Sequence, residues 1–113
     1  MSIKLLSLSK NEEFKSLLTG KKISNKYLTI FFKGLSGKSN KNLNISFVAQ
    51  KKLGNAVKRN KIKRRLRNIM NQITKILKIN LNYSYLFIVK KSIINAEFID
   101  IKETIIKDYK KII

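Results

Sequence analysis

A chain of 113 residues with 43% apolar content can build one core but not two, and its composition is that of an ordered protein. It contains no cysteine and no histidine, which excludes disulfide staples, thiolate metal sites and the usual imidazole base. The formal charge of +20, from 26 basic and 6 acidic residues, exceeds what solubility needs and calls for a polyanionic partner.

Residues 1–113 read as a single domain, without repeat, linker or proline. Met1 to Ser9 has no apolar run long enough for a signal segment. No stretch approaches the ~18 apolar residues that cross a bilayer, so a cytoplasmic location is expected. Ser9-Lys10-Asn11-Glu12 has the pattern of a capping box, with Ser9 as N-cap. It opens a short helix that turns Phe14, Leu17 and Leu18 inward and stops at Gly20.

Tyr27 to Lys33 is rich in aromatic and β-branched residues and reads as a strand. Gly34 to Asn42 reads as a loop. Leu43 to Lys52 alternates cleanly: Leu43, Ile45, Phe47 and Ala49 face a core, while Asn44, Ser46, Val48 and Gln50 face the open side. Leu53-Gly54-Asn55 is a turn in which Gly54 is free to take φ > 0 and Asn55 caps the next helix.

That helix runs from Ala56 to about Lys78, with Ile62, Leu66, Ile69, Met70, Ile73 and Leu77 on one stripe. Tyr83 to Lys91 is almost continuously apolar and reads as a central strand covered on both sides. A last helix starts at Asn95 as N-cap and buries Phe98, Ile101, Ile105, Tyr109 and Ile112. Glu97 and Asp100 favour its start, and Lys110 and Lys111 its end. The order α-β-β-α-β-α describes an α/β (α+β) two-layer sandwich.

Charge is concentrated in the middle. No carboxylate lies between Phe14 and Ala96, a stretch with 20 Lys or Arg, and nine of the seventeen residues from Lys51 to Arg67 are basic. On a wheel of about 100° per residue, Asn60, Lys63, Arg64 and Arg67 fall opposite the apolar stripe, with Lys61 to one side. A merely solvated face would interleave Glu with Lys, because (i, i+4) pairs stabilise a helix. Arginine forks suit phosphates and guanine edges, and the free N–H groups at Asn55 to Val57 favour an anion. Arg59, on the edge of the stripe, reads either as the rim of a binding surface or as a pinned structural residue.

The run Lys51-Lys52-Leu53-Gly54-Asn55-Ala56-Val57-Lys58-Arg59-Asn60-Lys61-Ile62-Lys63-Arg64-Arg65-Leu66-Arg67 closely resembles the signature of the ribonuclease P protein family. That signature reads roughly K-K-x-G-N-A-V-x-R-N-R-x-K-R-x-x-R, after a strand and opening a helix. The surrounding elements agree along nearly the whole chain. Three departures stand out: Lys61 replaces an arginine and loses its bidentate fork, Asn68 replaces a frequent acid, and Ala49-Gln50 replaces a pair usually close to Val-Ser.

The resemblance implies an accessory subunit of a ribonucleoprotein endonuclease whose catalyst is RNA. That RNA, using Mg²⁺ which it mainly holds itself, hydrolyses the bond between the 5′ leader and the mature tRNA. No residue of the chain would be catalytic or bind metal. The partners implied are the catalytic RNA and precursor tRNA, with no membrane and no further protein required. Asn55, Arg59, Asn60, Lys61, Lys63, Arg64 and Arg67 would dock on the catalytic RNA. Phe14, Phe31, Val48, Gln50, Lys51 and Lys52 would form the cleft for the leader. The family fold also implies a left-handed β-α-β crossover around the basic helix, against the general right-handed rule.

From the residues alone, Phe31 reads equally as core or cleft, and Phe14 as serving both. A ribosomal protein would share the size and charge. A DNA-binding module would need a short helix before Gly54-Asn55, which is missing. A stand-alone nuclease would need carboxylates for Mg²⁺ where the chain has none.

Overall fold

The computed structural model describes residues 3–112. In chain order they form β1 (Leu5–Leu6), α1 (Asn11–Leu18), β2 (Lys21–Ser24), β3 (Leu28–Lys33), β4 (Leu43–Val48), α2 (Ala56–Ile76), β5 (Ser84–Val89) and α3 (Phe98–Ile112). The expected elements are all present. Two short strands, β1 and β2, are additional, and both lie at edges of a five-stranded sheet ordered β1-β4-β5-β3-β2. Lys21-Lys22-Ile23-Ser24 has little strand propensity; its pairing with Thr29 to Phe32 creates the strand, and its lysines suit an exposed edge.

β4 and β5 are parallel neighbours, pairing Ser46 with Leu86 and Val48 with Ile88. The chain between them is α2, so the basic helix is itself the β-α-β crossover. β3 runs antiparallel to β5 and pairs Phe31 with Leu86.

The main core lies between one sheet face and the two long helices. Leu28, Ile30, Phe32, Leu43, Ile45, Phe47, Tyr85, Phe87 and Val89 meet Leu66, Ile69, Met70 and Ile73 of α2 and Ile101, Ile105 and Tyr109 of α3. The alternation read in β4 assigns Leu43, Ile45 and Phe47 correctly. β5 is buried on both faces, as its unbroken apolar run requires.

The opposite face is less open than alternation suggests. α1 packs over it, and Leu8, Leu17 and Leu86 form a second small core flanked by Phe14, Phe31, Leu35, Val48 and Ile88. Asn44 and Ser46, expected on the open side, are buried. Each is satisfied there: Asn44 donates to the Ser39 carbonyl at 2.8 Å, and Ser46 Oγ accepts from the Leu8 N–H at 2.8 Å.

Several boundaries shift. α1 begins one residue late, with Lys10 rather than Ser9 as N-cap and Glu13 rather than Glu12 reaching back to the Lys10 N–H at 3.1 Å. Tandem glutamates permit both registers, and this one brings Leu17 onto the sheet while leaving Leu18 48% exposed, contrary to expectation. Gly20 follows the helix and lies so close to β3 that a Cβ would stand 2.8 Å from the Phe32 carbonyl oxygen. β4 ends at Val48, and Lys51–Leu53 coil into a 3-10 turn instead of extending the strand. Asn95 closes another such turn, and α3 starts at Phe98 with the Glu97 carbonyl accepting from the Ile101 N–H.

Candidate nucleic-acid interface

The entry to α2 is built as its sequence indicates. Gly54 adopts φ 133°, open to glycine and strained for other residues, and lets the chain reverse after the Lys51–Leu53 turn. Asn55 then caps the helix, its side chain accepting from the Lys58 N–H at 3.0 Å. Ile62, Leu66, Ile69, Met70 and Ile73 bury one stripe of α2, which fixes the direction of every cation on it. Val57 is left 76% exposed, an apolar patch among the lysines of the first turn.

The cations of α2 divide between two grooves. Lys61, Arg64, Arg65, Arg67, Asn68 and Asn71 line a trough of about 450 Å³ along the outer face. A second groove of about 360 Å³ is walled by Ser7, Leu8 and Phe14 on one side and by Lys63 and Arg67 on the other; residues Ser46 to Ala49 form its floor. Arg67 lines both. Of the expected cleft residues, the structure thus brings Phe14 and Val48 into one groove and adds Lys63, which the signature groups with the docking helix.

Phe31 lies two strands further across the sheet, beyond β5, half-buried in the second core with Phe14 and Val48. Gln50, Lys51 and Lys52 are exposed in the turn between β4 and α2 and do not line the groove. Asn55 and Asn60 are exposed. Arg59 is half-buried, with a buried Nε that has no partner among the described residues.

Two contributors escape a reading by periodicity. Ser7 and Leu8 belong to no regular element, and the pairing of β1 with β4, the packing of Leu8 and the Leu8–Ser46 hydrogen bond, 38 residues apart in sequence, bring them to the groove. Arg65 looks like another free cation. Instead its guanidinium donates to the Ala96 carbonyl at 3.0 Å and clips α2 to the start of α3.

The arrangement combines a cationic wall, an aromatic at the facing wall and an apolar floor. Cations suit phosphates, and an exposed ring edge suits unstacked bases. Among the described residues no three of His, Cys, Asp and Glu gather where one ion could be held. No helix among them is long and apolar enough to cross a membrane.

The family model described as Ribonuclease P matches residues 4–113. The chain is 30% identical to the ribonuclease P protein component of Caldanaerobacter subterraneus subsp. tengcongensis, over 98% of this chain and 92% of that protein. Its counterpart from Listeria monocytogenes is 29% identical over 88% of this chain and 81% of its own. Among solved structures, the RNase P protein of Thermotoga maritima superposes with a TM-score of 0.78 at 22% identity, covering 93% of this chain and 96% of its own. The Staphylococcus aureus protein gives 0.73 at 26% identity, covering 96% and 95%.

Proposed function

Because the chain belongs to the ribonuclease P protein family, we propose that it is the protein subunit that helps a catalytic RNA remove the 5′ leader from precursor tRNA. In this reading the outer face of α2, with Lys61, Arg64 and Arg67, docks on the catalytic RNA. The groove between Phe14 and Lys63 receives the leader. Leaders differ in sequence, and stacking on a ring, worth ~1–3 kcal/mol per base, tolerates any base.

The observation that carries the reading is the shared groove: two cations of the signature helix, Lys63 and Arg67, face Phe14 and Val48 across it. A protein that only coated a folded RNA would have no use for an aromatic opposite its basic helix. The protein's part is binding and orientation. Mg²⁺, held mainly by the RNA in this reading, would supply the charge for water activation and for the leaving oxygen.

The test is reconstitution. Added to its cognate RNA at low Mg²⁺, the protein should raise the rate of cleavage at the tRNA 5′ end and bind leader-bearing transcripts more tightly than mature tRNA. Unchanged turnover together with equal affinity for the two transcripts would end this reading.

A further inference from the structure

Glu13 has two roles. One carboxylate oxygen accepts from the N–H groups of Lys10, at 3.1 Å, and Ser9, at 3.3 Å, closing the first turn of α1. The other pairs with the Lys38 ammonium, which comes from the loop between β3 and β4. This is the one ion pair among the described residues of a chain with 26 cations. It is tucked in, with the Glu13 and Lys38 side chains 12% and 23% exposed. The hydrogen bond from Lys38 is the main reason the Glu13 carboxyl sits below the ordinary carboxylate range; burial opposes it, and the backbone N–H donors of Lys10 and Ser9 act with it.

The loop is held at a second point. Leu35 packs into the small core with Phe14, Phe31 and Val48. Phe14 follows Glu13 in α1 and shares the small core with Leu35, so the loop that carries Lys38 is anchored on the α1 side of the groove. Among the described residues Glu13 is the one carboxylate paired with a cation, and that cation comes from the loop anchored beside the groove, while Lys63 and Arg67 line the groove itself.

We propose that Lys38 is a phosphate-binding position for the single-stranded RNA seated against Phe14, and that Glu13 occupies it in the free protein as a stand-in anion. The proposal rests on the functional reading above and adds a site to it. On binding, the ammonium exchanges a carboxylate for a backbone phosphate, and Glu13 keeps its bonds to α1. A bound strand must therefore displace an existing partner at this position, whereas Lys61, Arg64 and Arg67 of the α2 trough have no side-chain partner among the described residues to give up.

Glu13→Gln tests the exchange without disturbing the helix, since a glutamine amide oxygen still accepts from the capping N–H groups. The probe is a short single-stranded RNA of leader sequence, titrated against the full chain at several salt concentrations. Glu13→Gln should bind about two- to fivefold tighter, the range expected for releasing one ion pair at the protein surface. Lys38→Met, which keeps most of the apolar stem, should bind more weakly with a log–log salt slope shallower by ~0.7, one phosphate contact on a single strand.

The deciding measurement is the pair together. In the Lys38→Met background, Glu13→Gln should add nothing, whereas a general gain of positive charge would help equally in both backgrounds. Equal gains overturn the proposal, as does an unchanged slope for Lys38→Met. Wild-type protein that prefers leader-bearing transcripts while showing no coupling between the two positions removes this site alone. Wild-type protein without that preference removes the functional reading and this site with it.

Discussion

At the scale of single residues, burial and satisfaction come apart. Tyr85 and Tyr109 are both fully buried against one another, with rings 5.2 Å apart. The Tyr85 hydroxyl donates to the Asn80 carbonyl at 2.6 Å, whereas the Tyr109 hydroxyl has no partner among the described residues. Burial pushes both phenols above their ordinary range, with Tyr83 adding to the effect on Tyr85 and Tyr85 to that on Tyr109. The fold therefore favours the neutral form: this contribution to stability is complete below the unfolded value of about 10 and is lost as pH rises above it. Tyr109→Phe should stabilise the protein by ~1 kcal/mol and reduce its sensitivity to alkali, while Tyr85→Phe should cost about as much. Urea melts at neutral pH and above the tyrosine range would show it; a destabilised Tyr109→Phe protein would mean that the hydroxyl is satisfied after all. The helical spacing of Tyr109 shows its burial in advance, but nothing local shows which hydroxyl finds a carbonyl. Phe14 is a comparable case. Its place on the inner side of α1 is legible, and its position opposite Lys63 is not. Phe14→Leu keeps apolar bulk and removes the ring, so affinity for precursor tRNA should fall by ~1 kcal/mol or more with mature tRNA unaffected.

At the scale of elements, α2 is the most legible part of the chain, because one apolar stripe orients everything else on it. Its cations looked like one surface from sequence, yet the structure divides them. The division depends on β4 and on the Ser7–Leu8 segment, neither of which can be placed without long-range pairing. Replacing Lys61 and Arg64 with alanine should weaken binding to the catalytic RNA and flatten its salt slope by up to about two contacts. Replacing Lys63 and Arg67 should, in addition, erase the preference for leader-bearing transcripts. Titrations of both double variants against both RNAs would separate them, and identical profiles would argue for a single undivided face. Arg65→Ala belongs to neither class: losing its bond to Ala96 should cost ~1 kcal/mol of stability with the salt slope unchanged.

At the scale of the whole molecule, the sandwich of sheet and helices follows from periodicity and from the one unbroken apolar strand. The edge strands do not, since β1 has two residues and β2 is mostly polar; each exists because a neighbour offers it a ladder. The charge acts globally too. With a net +20, the free protein repels itself, so moderate salt should raise its Tm even as it weakens RNA binding. Thermal melts and RNA titrations across the same salt series would reveal the opposite trends. A Tm that falls with salt would show that local attractions outweigh the global field.

The basic helix bridges two parallel strands of the sheet, with only the short Lys51–Leu53 turn beside it in the connection from β4 to β5. Any RNA that grips it therefore holds the molecule at its topological seam. Opening the sheet between β4 and β5 requires their connecting helix to move, and a bound phosphate chain resists that movement. Amide protons in these two strands should exchange with solvent far more slowly in the ribonucleoprotein than in the free chain.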